Sequence, residues 1–126
     1  MSRRAASLKR AMKMRVVYIA GPYTATAQHP DKEINVELAR TVAQHLWSRG
    51  FAAVCPHLNT LDMECDGDTQ SLPHHRWIEG DIAILSRCDT LVVLPGWEAS
   101  HGATQEVLFA VQRKITIHYW PDLKLP

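Results

Sequence analysis

The sequence predicts an α/β fold: a doubly wound parallel sheet of four or five strands with helices on both faces. Short apolar, β-branched runs typical of buried strands recur along the chain, and segments with helical spacing of apolar residues separate them. Strands that alternate with helices pair in parallel, because each crossover helix returns the chain to the same end of the sheet. This three-layer αβα arrangement is Rossmann-like, or flavodoxin-like.

Glycine and proline mark the ends of the predicted elements. Strands are predicted over residues 15–20, 51–55, 90–94 and 115–119, and helices over 31–49, 73–86 and 103–112. The first of these helices is the clearest, because Ile34, Leu38, Val42 and Leu46 recur every four residues and Gly50 follows as a stop. Residues 57–72 are predicted to form a long loop, which is typical of a functional or mobile segment.

The composition is that of a single globular domain. The chain has 126 residues, of which 46% are hydrophobic and 21% charged. Its apolar runs are too short for a membrane-spanning helix, and no secretory signal precedes the first strand. The three cysteines cannot all pair within one chain, so we expect reduced thiols and a cytoplasmic protein.

Charge divides the chain into two parts. Residues 1–15 carry six basic residues and no acid, whereas the remainder carries 8 basic and 13 acidic residues, a formal balance of −5. We interpret residues 1–13 as a basic, flexible leader and residues 14–126 as one α/β domain. Such a leader is also compatible with RNA, DNA or an anionic membrane. Because the domain itself is acidic, we do not expect a nucleic acid as partner. We also expect no membrane partner, and we expect the ligand to be a small molecule.

In a doubly wound sheet, ligands bind beyond the carboxyl ends of the strands. This places segments 21–26, 57–59 and 95–102 together at one edge of the predicted sheet. Ser100 and Gly102 lie where a helix begins, and backbone N–H groups at such a position bind anions, phosphate included. We therefore expect the ligand at this edge.

Three residues near this edge suit catalysis. Glu106 is predicted in or just after the first helical turn, where the helix dipole favours an ionised carboxylate nucleophile; alternatively, it only stabilises the helix start. Asp81 lies among apolar residues, so that burial would raise its pKa as in a general acid; alternatively, it is an exposed helix acid. Tyr18 lies inside the first strand, where its buried hydroxyl needs a hydrogen-bond partner, and Glu106 can be that partner; alternatively, Tyr18 is an ordinary core tyrosine. Asp89 is interpreted as a turn cap.

Other chemistries lack a motif. The cysteines and histidines do not have the spacing of a zinc site, so we expect no metal. The glycine-rich loops of P-loop and dinucleotide-binding proteins are missing from the sequence. We therefore expect no cofactor.

Three motifs in order carry a family resemblance. They are residues 17–23 (VYIAGPY), residues 77–81 (WIEGD) with Cys88-Asp89, and residues 100–106 (SHGATQE). Together they resemble the nucleoside 2-deoxyribosyltransferase superfamily over residues 14–119, and most closely its small branch of the DUF4406 type. The resemblance implies cleavage of the N-glycosidic bond of a (deoxy)nucleoside or its 5′-monophosphate through a covalent glycosyl intermediate on Glu106. Water or a second base then takes the sugar, giving hydrolysis or base exchange.

The resemblance also assigns roles to residues. Glu106 matches the nucleophile, Tyr18 the tyrosine that holds it, and Asp81 the aspartate that meets the base. Ser100 follows the pattern of the monophosphate hydrolases, although the first loop lacks their arginine. From the resemblance and their place at the edge, we expect substrate contacts from Gly21, Pro22, Tyr23, His57, Trp77, Gly96, Trp97, Ser100 and Gly102.

Two other functions stay open. One is a non-catalytic nucleotide-binding or sensing protein on the same fold. The other is a phosphoribohydrolase similar to the lysine-decarboxylase-like family, whose motif is partly echoed by Pro95-Gly96 and by residues 102–106. The resemblance and an apolar tail that we expect to be exposed (Trp120, Leu123, Leu125) predict a homodimer or homotetramer.

Overall fold

The computed structural model describes residues 2–22, 32–59 and 72–125. Four strands form one parallel sheet: β1 (Val16–Ala20), β2 (Ala52–Val54), β3 (Thr90–Val93) and β4 (Thr116–Tyr119). Their order across the sheet is β2-β1-β3-β4. The predicted α/β, doubly wound fold is confirmed, and each strand is one or two residues shorter than predicted.

Five helices accompany the sheet. They are α1 (Arg3–Lys13), α2 (Lys32–Ser48), α3 (Pro56–Asn59), α4 (His74–Leu85) and α5 (His101–Arg113), and a single 3-10 turn, Trp97–Ala99, precedes α5. The predicted loop 57–72 thus begins inside the short helix α3. The rest of that loop, residues 60–71, and the first loop, residues 23–31, lie outside the described residues.

The two faces of the sheet carry different helices. α2 packs on the face that includes Val17 and Ile19, whereas α4 and α5 pack on the face that includes Tyr18 and Ala20. This follows from right-handed crossovers, because the chain runs outward from β1 to β2 and then returns across the sheet to β3 and β4. The strand order therefore changes direction between β1 and β3, and a crevice is expected beyond their carboxyl ends.

The carboxyl-terminal tail is not exposed as expected. Trp120, Leu123 and Leu125 are partly buried and pack against the α2 side of the core. The Trp120 N–H donates to the Val93 carbonyl at 2.8 Å, which extends the hydrogen bonding of β4 to β3 by one residue. Because the three apolar side chains of the tail already pack within the chain, they give no argument for self-association. The homodimer or homotetramer stays a prediction.

The basic leader is helical rather than irregular. α1 consists mostly of good helix formers, and the side chain of Ser2 accepts a hydrogen bond from the Ala5 N–H at 3.0 Å as its amino-terminal cap. No residue of α1 is buried, so the helix adds nothing to the core. The division into a leader and a domain from residue 14 therefore stays a prediction. Within the described ranges, no helix has the length and apolar content needed to cross a bilayer.

Candidate active site

A buried tyrosine–glutamate pair lies between the sheet and α5. Tyr18, in the middle of β1, is fully buried, and Glu106 on α5 is 7% exposed. The Tyr18 hydroxyl donates a hydrogen bond to Oε2 of Glu106. The alternation of β1 points Tyr18 toward α5, which is why the two side chains meet. The structure thus brings together the two residues that the sequence analysis paired.

Burial, not the helix dipole, governs the charge of Glu106. The residue is the sixth of α5 and so lies just after the first turn, where it was expected, but burial outweighs any preference of the helix start for the ionised form. The pKa of Glu106 is raised to about 8, mainly by burial; the Tyr18 hydrogen bond lowers it, and the nearby charge of Asp81 adds a smaller upward effect. Below about pH 8 the free protein therefore holds a proton on this carboxyl group.

Asp81 completes a coupled set of acids. It lies two turns into α4 and is partly buried, and burial raises its pKa to about 6. Its negative charge also acts on Glu106 and on Tyr18, whose pKa is raised well above its ordinary value by burial and by both carboxylates. The two carboxyl groups, called the carboxyl pair below, therefore have pKa values of about 6 and about 8, and the charge of Asp81 acts on Glu106, whereas the Tyr18 hydroxyl stays a hydrogen-bond donor.

Ser100 and Gly102 lie at the start of α5, as expected, and anion binding there stays a prediction. Ser100 is the amino-terminal cap, and its Oγ accepts a hydrogen bond from the Ala103 N–H at 3.2 Å. Its hydroxyl hydrogen remains available for another acceptor. The first N–H groups of a helix have no partner within it. At Gly102, an added Cβ would meet no atom within 4 Å, so a ligand can approach this backbone closely.

Two histidines missed by the sequence analysis lie at the same end of the molecule. The rings of His74 and His101 are 6.1 Å apart between centroids, and each begins a helix, α4 and α5 respectively. Both side chains are exposed. No spacing in the sequence predicts this pair, because the two helices come from separate crossovers. The only available signal was that both residues stand at a predicted helix start.

Some predicted substrate contacts also have clear structural tasks. An added Cβ at Gly21 would lie 2.7 Å from Cβ of Leu94, so glycine allows β1 to end against the chain that leaves β3. Pro22 beside it is buried. Gly96 has a φ of 86°, a left-handed conformation that favours glycine and starts the 3-10 turn.

The other predicted substrate contacts are two tryptophans, Tyr23 and His57. The Trp97 ring lies 5.9 Å from the Tyr119 ring and packs against the core cluster that contains Tyr18, while Trp77 is half-buried on α4. Tyr23 and the side chain of His57 lie outside the described residues. Asp89 accepts a hydrogen bond from the Val16 N–H at 2.8 Å, and so fastens the start of β1.

A metal centre and a surface groove are the other kinds of site to consider in this fold. In the described part of the chain, no three histidine, cysteine or acidic side chains gather as metal ligands do. A groove of about 240 Å³ lies on the α2 side of the sheet. Its lining residues are His45, Leu46, Arg49, Phe51, Leu123 and Leu125. Among the described residues that line it there is no acidic side chain, so these residues offer neither a carboxylate nucleophile nor a carboxylic proton donor.

Comparison with solved structures supports the fold. The chain is similar to a 2-desoxiribosyltransferase from Leishmania mexicana, with a TM-score of 0.51 and 17% sequence identity. The match covers 83% of this chain and 63% of that one, so the chain spans less than two thirds of the length of this relative. At this identity the likeness shows a shared α/β architecture. No curated protein matches the chain.

A protein-family model gives the closer assignment. The model described as a domain of unknown function, DUF7768, matches residues 15–120. The match begins just before β1, ends just after β4, and includes Tyr18, Asp81 and Glu106. The chain therefore belongs to the DUF7768 family.

Proposed function

We propose that the protein cleaves the N-glycosidic bond of a (deoxy)nucleoside or its 5′-monophosphate, with Glu106 as nucleophile. The observation that carries this proposal is the buried Tyr18–Glu106 hydrogen bond beside Asp81. A single buried acid is costly for a fold. Here two acids and a phenol interact electrostatically on one side of the sheet, and a two-step glycosyl displacement uses two such carboxyl groups. A relationship to the deoxyribosyltransferases, including the DUF4406 type suggested by the motifs, is part of this proposal.

The first step forms a glycosyl ester. Tyr18 holds Oε2 of Glu106, and Oε1 attacks the anomeric carbon of the sugar. The bond between this carbon and the base nitrogen breaks, and its electron pair leaves with the base. Asp81 donates a proton to the departing base, which lowers the barrier for a poor leaving group. The transition state resembles an oxocarbenium ion, and the carboxylate of Glu106 stabilises its positive charge.

The second step returns the enzyme to its starting state. Asp81, now ionised, takes a proton from water or from a second base, which attacks the anomeric carbon. The ester bond to Glu106 breaks, and the sugar leaves with its new partner. Hydrolysis and base exchange therefore use the same residues and differ only in the acceptor.

The proton count of the carboxyl pair fits this cycle. Between about pH 6 and about pH 8 the pair holds one proton. In the free protein this proton lies mainly on Glu106, whereas the reactive arrangement has it on Asp81. Both arrangements have the same total charge, so activity depends on pH through the pair as a whole. We expect a bell-shaped profile with limbs at about pH 6 and about pH 8.

The helix starts support a substrate with a negative group. The α5 start offers backbone N–H groups and the Ser100 hydroxyl, and the imidazoles of His74 and His101 lie at the same end of the molecule. These groups are donors for the oxygens of a phosphate. Ser100 and His101 lie several residues before Glu106, at the start of α5. This separation suits a sugar whose phosphate binds at the helix start while its anomeric carbon lies at Glu106. This favours a 5′-monophosphate over the free nucleoside.

The test is release of a free base. The protein is incubated with deoxynucleosides, ribonucleosides and their 5′-monophosphates, with and without a second base, and the products are separated by chromatography. The Glu106→Gln variant keeps a side chain that accepts the Tyr18 hydrogen bond but removes the nucleophile. We expect its rate to fall at least about 10³-fold. Glu98→Gln, an exposed acid one turn before α5, is the matched control and should stay within about twofold of the parent.

An acid quench during turnover adds a direct readout. The parent protein should gain the mass of the glycosyl group on the peptide that contains Glu106, whereas Glu106→Gln should not. An active Glu106→Gln variant contradicts the nucleophile assignment. A chain that releases no base from any substrate, but whose melting temperature a nucleotide raises, is instead a nucleotide-binding protein.

A further inference from the structure

α1 separates apolar and basic side chains onto two sides. At 100° per residue, Ala5, Leu8 and Met12 lie on one side of the helix, while Lys9, Arg10 and Lys13 lie on the other or at its border. Leu8 is 60% exposed and Met12 is 83% exposed, so the domain does not cover this apolar stripe. The separation exists only because the segment is helical; an irregular leader would have no such stripe.

The charge of α1 indicates the kind of surface that covers the stripe. The helix carries five cations, Arg3, Arg4, Lys9, Arg10 and Lys13, and no acid. Arg4 and Lys9 flank the apolar stripe on its two sides, where long basic side chains can reach the level of lipid headgroups. No residue of α1 is buried, so the helix can meet an outside surface without disturbing the fold.

We propose that α1 binds in the plane of an anionic lipid bilayer, with Leu8 and Met12 at the boundary of the acyl chains. An apolar stripe flanked by cations matches a surface that is apolar below and negatively charged above. A nucleic acid would neutralise the cations but leave Leu8 and Met12 in water. This inference replaces the expectation of no membrane partner, and it does not depend on the proposed catalytic activity.

The test uses vesicles and the full chain. Binding is measured by flotation with vesicles of phosphatidylcholine alone and of phosphatidylcholine mixed with phosphatidylserine. We expect binding to the anionic vesicles only, weakened by added salt. The double variant Leu8→Ser with Met12→Ser should lower the partition coefficient at least about tenfold, because it removes the apolar stripe but no charge. Leu108→Ser, at a leucine on α5 that is 52% exposed, is the matched control and should bind as the parent does.

A charge variant completes the experiment. Lys9→Gln with Arg10→Gln and Lys13→Gln should also lose binding, because the stripe alone is too short to hold the helix on a bilayer. Melting curves show whether each variant keeps its fold. Failure of the parent to bind anionic vesicles overturns the proposal. So does binding that is unchanged in the Leu8 and Met12 variant, or binding to a DNA or RNA duplex in place of vesicles.

Discussion

The two faces of the sheet are built from the same strands but serve different purposes. On the α2 face, Val17 and Ile19 of β1 meet apolar side chains of α2, and side chains of the carboxyl-terminal tail pack against the same cluster. On the α4–α5 face, Tyr18 of the same strand meets Glu106. Because side chains alternate along the strand, one face of the sheet is an apolar layer and the other buries titratable groups.

The difference shows which face of the sheet accommodates a buried acidic side chain. Within the described residues, Glu106 is the only acidic or basic side chain classed as buried. Its pKa of about 8 shows that the α4–α5 face disfavours the ionised form, which is the form a nucleophile needs. The apolar face on the other side supplies stability that can offset this cost. Substitutions on the two faces should therefore act in opposite ways.

The largest effect is expected from Asp81→Asn on the α4–α5 face. The amide cannot protonate the departing base, so kcat/KM should fall about 10³-fold. The bell-shaped profile should become a single rise with pH, because only ionisation of Glu106 remains. That rise should lie below about pH 8, since the charge of Asp81 no longer raises the pKa of Glu106. The measurement is the initial rate of base release from pH 5 to pH 9, values set about one unit beyond the two pKa values.

The control for this variant lies on the same helix. Glu79→Gln removes an exposed acid of α4 and should keep the bell shape and at least half of the rate, as surface substitutions usually do. A bell-shaped profile that survives in Asp81→Asn would show that another group supplies the proton.

Sequence patterns predicted the geometry of the site better than its electrostatics. Tyr18 lies in a predicted strand and Glu106 follows a predicted helix start at the same edge of the sheet, so their meeting was predictable from the alternation of strands and helices. The pKa direction of Glu106 was not, because it depends on how deeply α5 packs on the sheet. Local spacing also gave no reason for the tail to pack against the α2 side of the core, nor for His74 to meet His101. Both are contacts between distant segments, which a local pattern does not encode.

A medium effect is expected on stability from Glu106→Gln. The folded-state pKa of Glu106, about 8, lies above its ordinary value of 4.5, so the folded protein binds this proton more tightly than the unfolded chain does. The resulting contribution is complete below about pH 4.5 and is lost as the pH rises through about 8. The glutamine variant lacks this loss. At about pH 8 its free energy of unfolding should exceed that of the parent by about 2–4 kcal/mol, and near pH 5 the two should nearly agree.

Leu46→Ala on the α2 face gives the contrasting result. Leu46 is fully buried, and its truncation should lower the free energy of unfolding by about 3 kcal/mol at both pH values. Denaturant unfolding at the two pH values measures both variants. If Glu106→Gln is less stable than the parent at the higher pH, burial of the carboxylate is not the cost that we infer.

The smallest of these effects, and the most specific, is expected from Tyr18→Phe. The substitution keeps the ring in the core but removes the hydrogen bond to Glu106. In the parent protein this hydrogen bond lowers the pKa of the Glu106 carboxyl group, so its loss raises that pKa. Without it, the shared proton lies on Glu106 for a larger fraction of the time. A hydrogen bond to a charged group contributes about 1.5–3 kcal/mol. Maximal kcat/KM should therefore fall about 10- to 150-fold, because the arrangement with Glu106 ionised and Asp81 protonated becomes rarer.

The position of the alkaline limb distinguishes this cause from a simple packing defect. A higher pKa of Glu106 keeps one proton on the carboxyl pair to higher pH, so the alkaline limb of Tyr18→Phe should move above about pH 8 even as the maximum falls. A defect in packing would lower the rate and leave the limb in place. Tyr119→Phe is the matched control, because Tyr119 lies at the end of β4 with its ring against Trp97. Its hydroxyl has no part in the carboxyl pair, so both the maximum and the limb should match the parent.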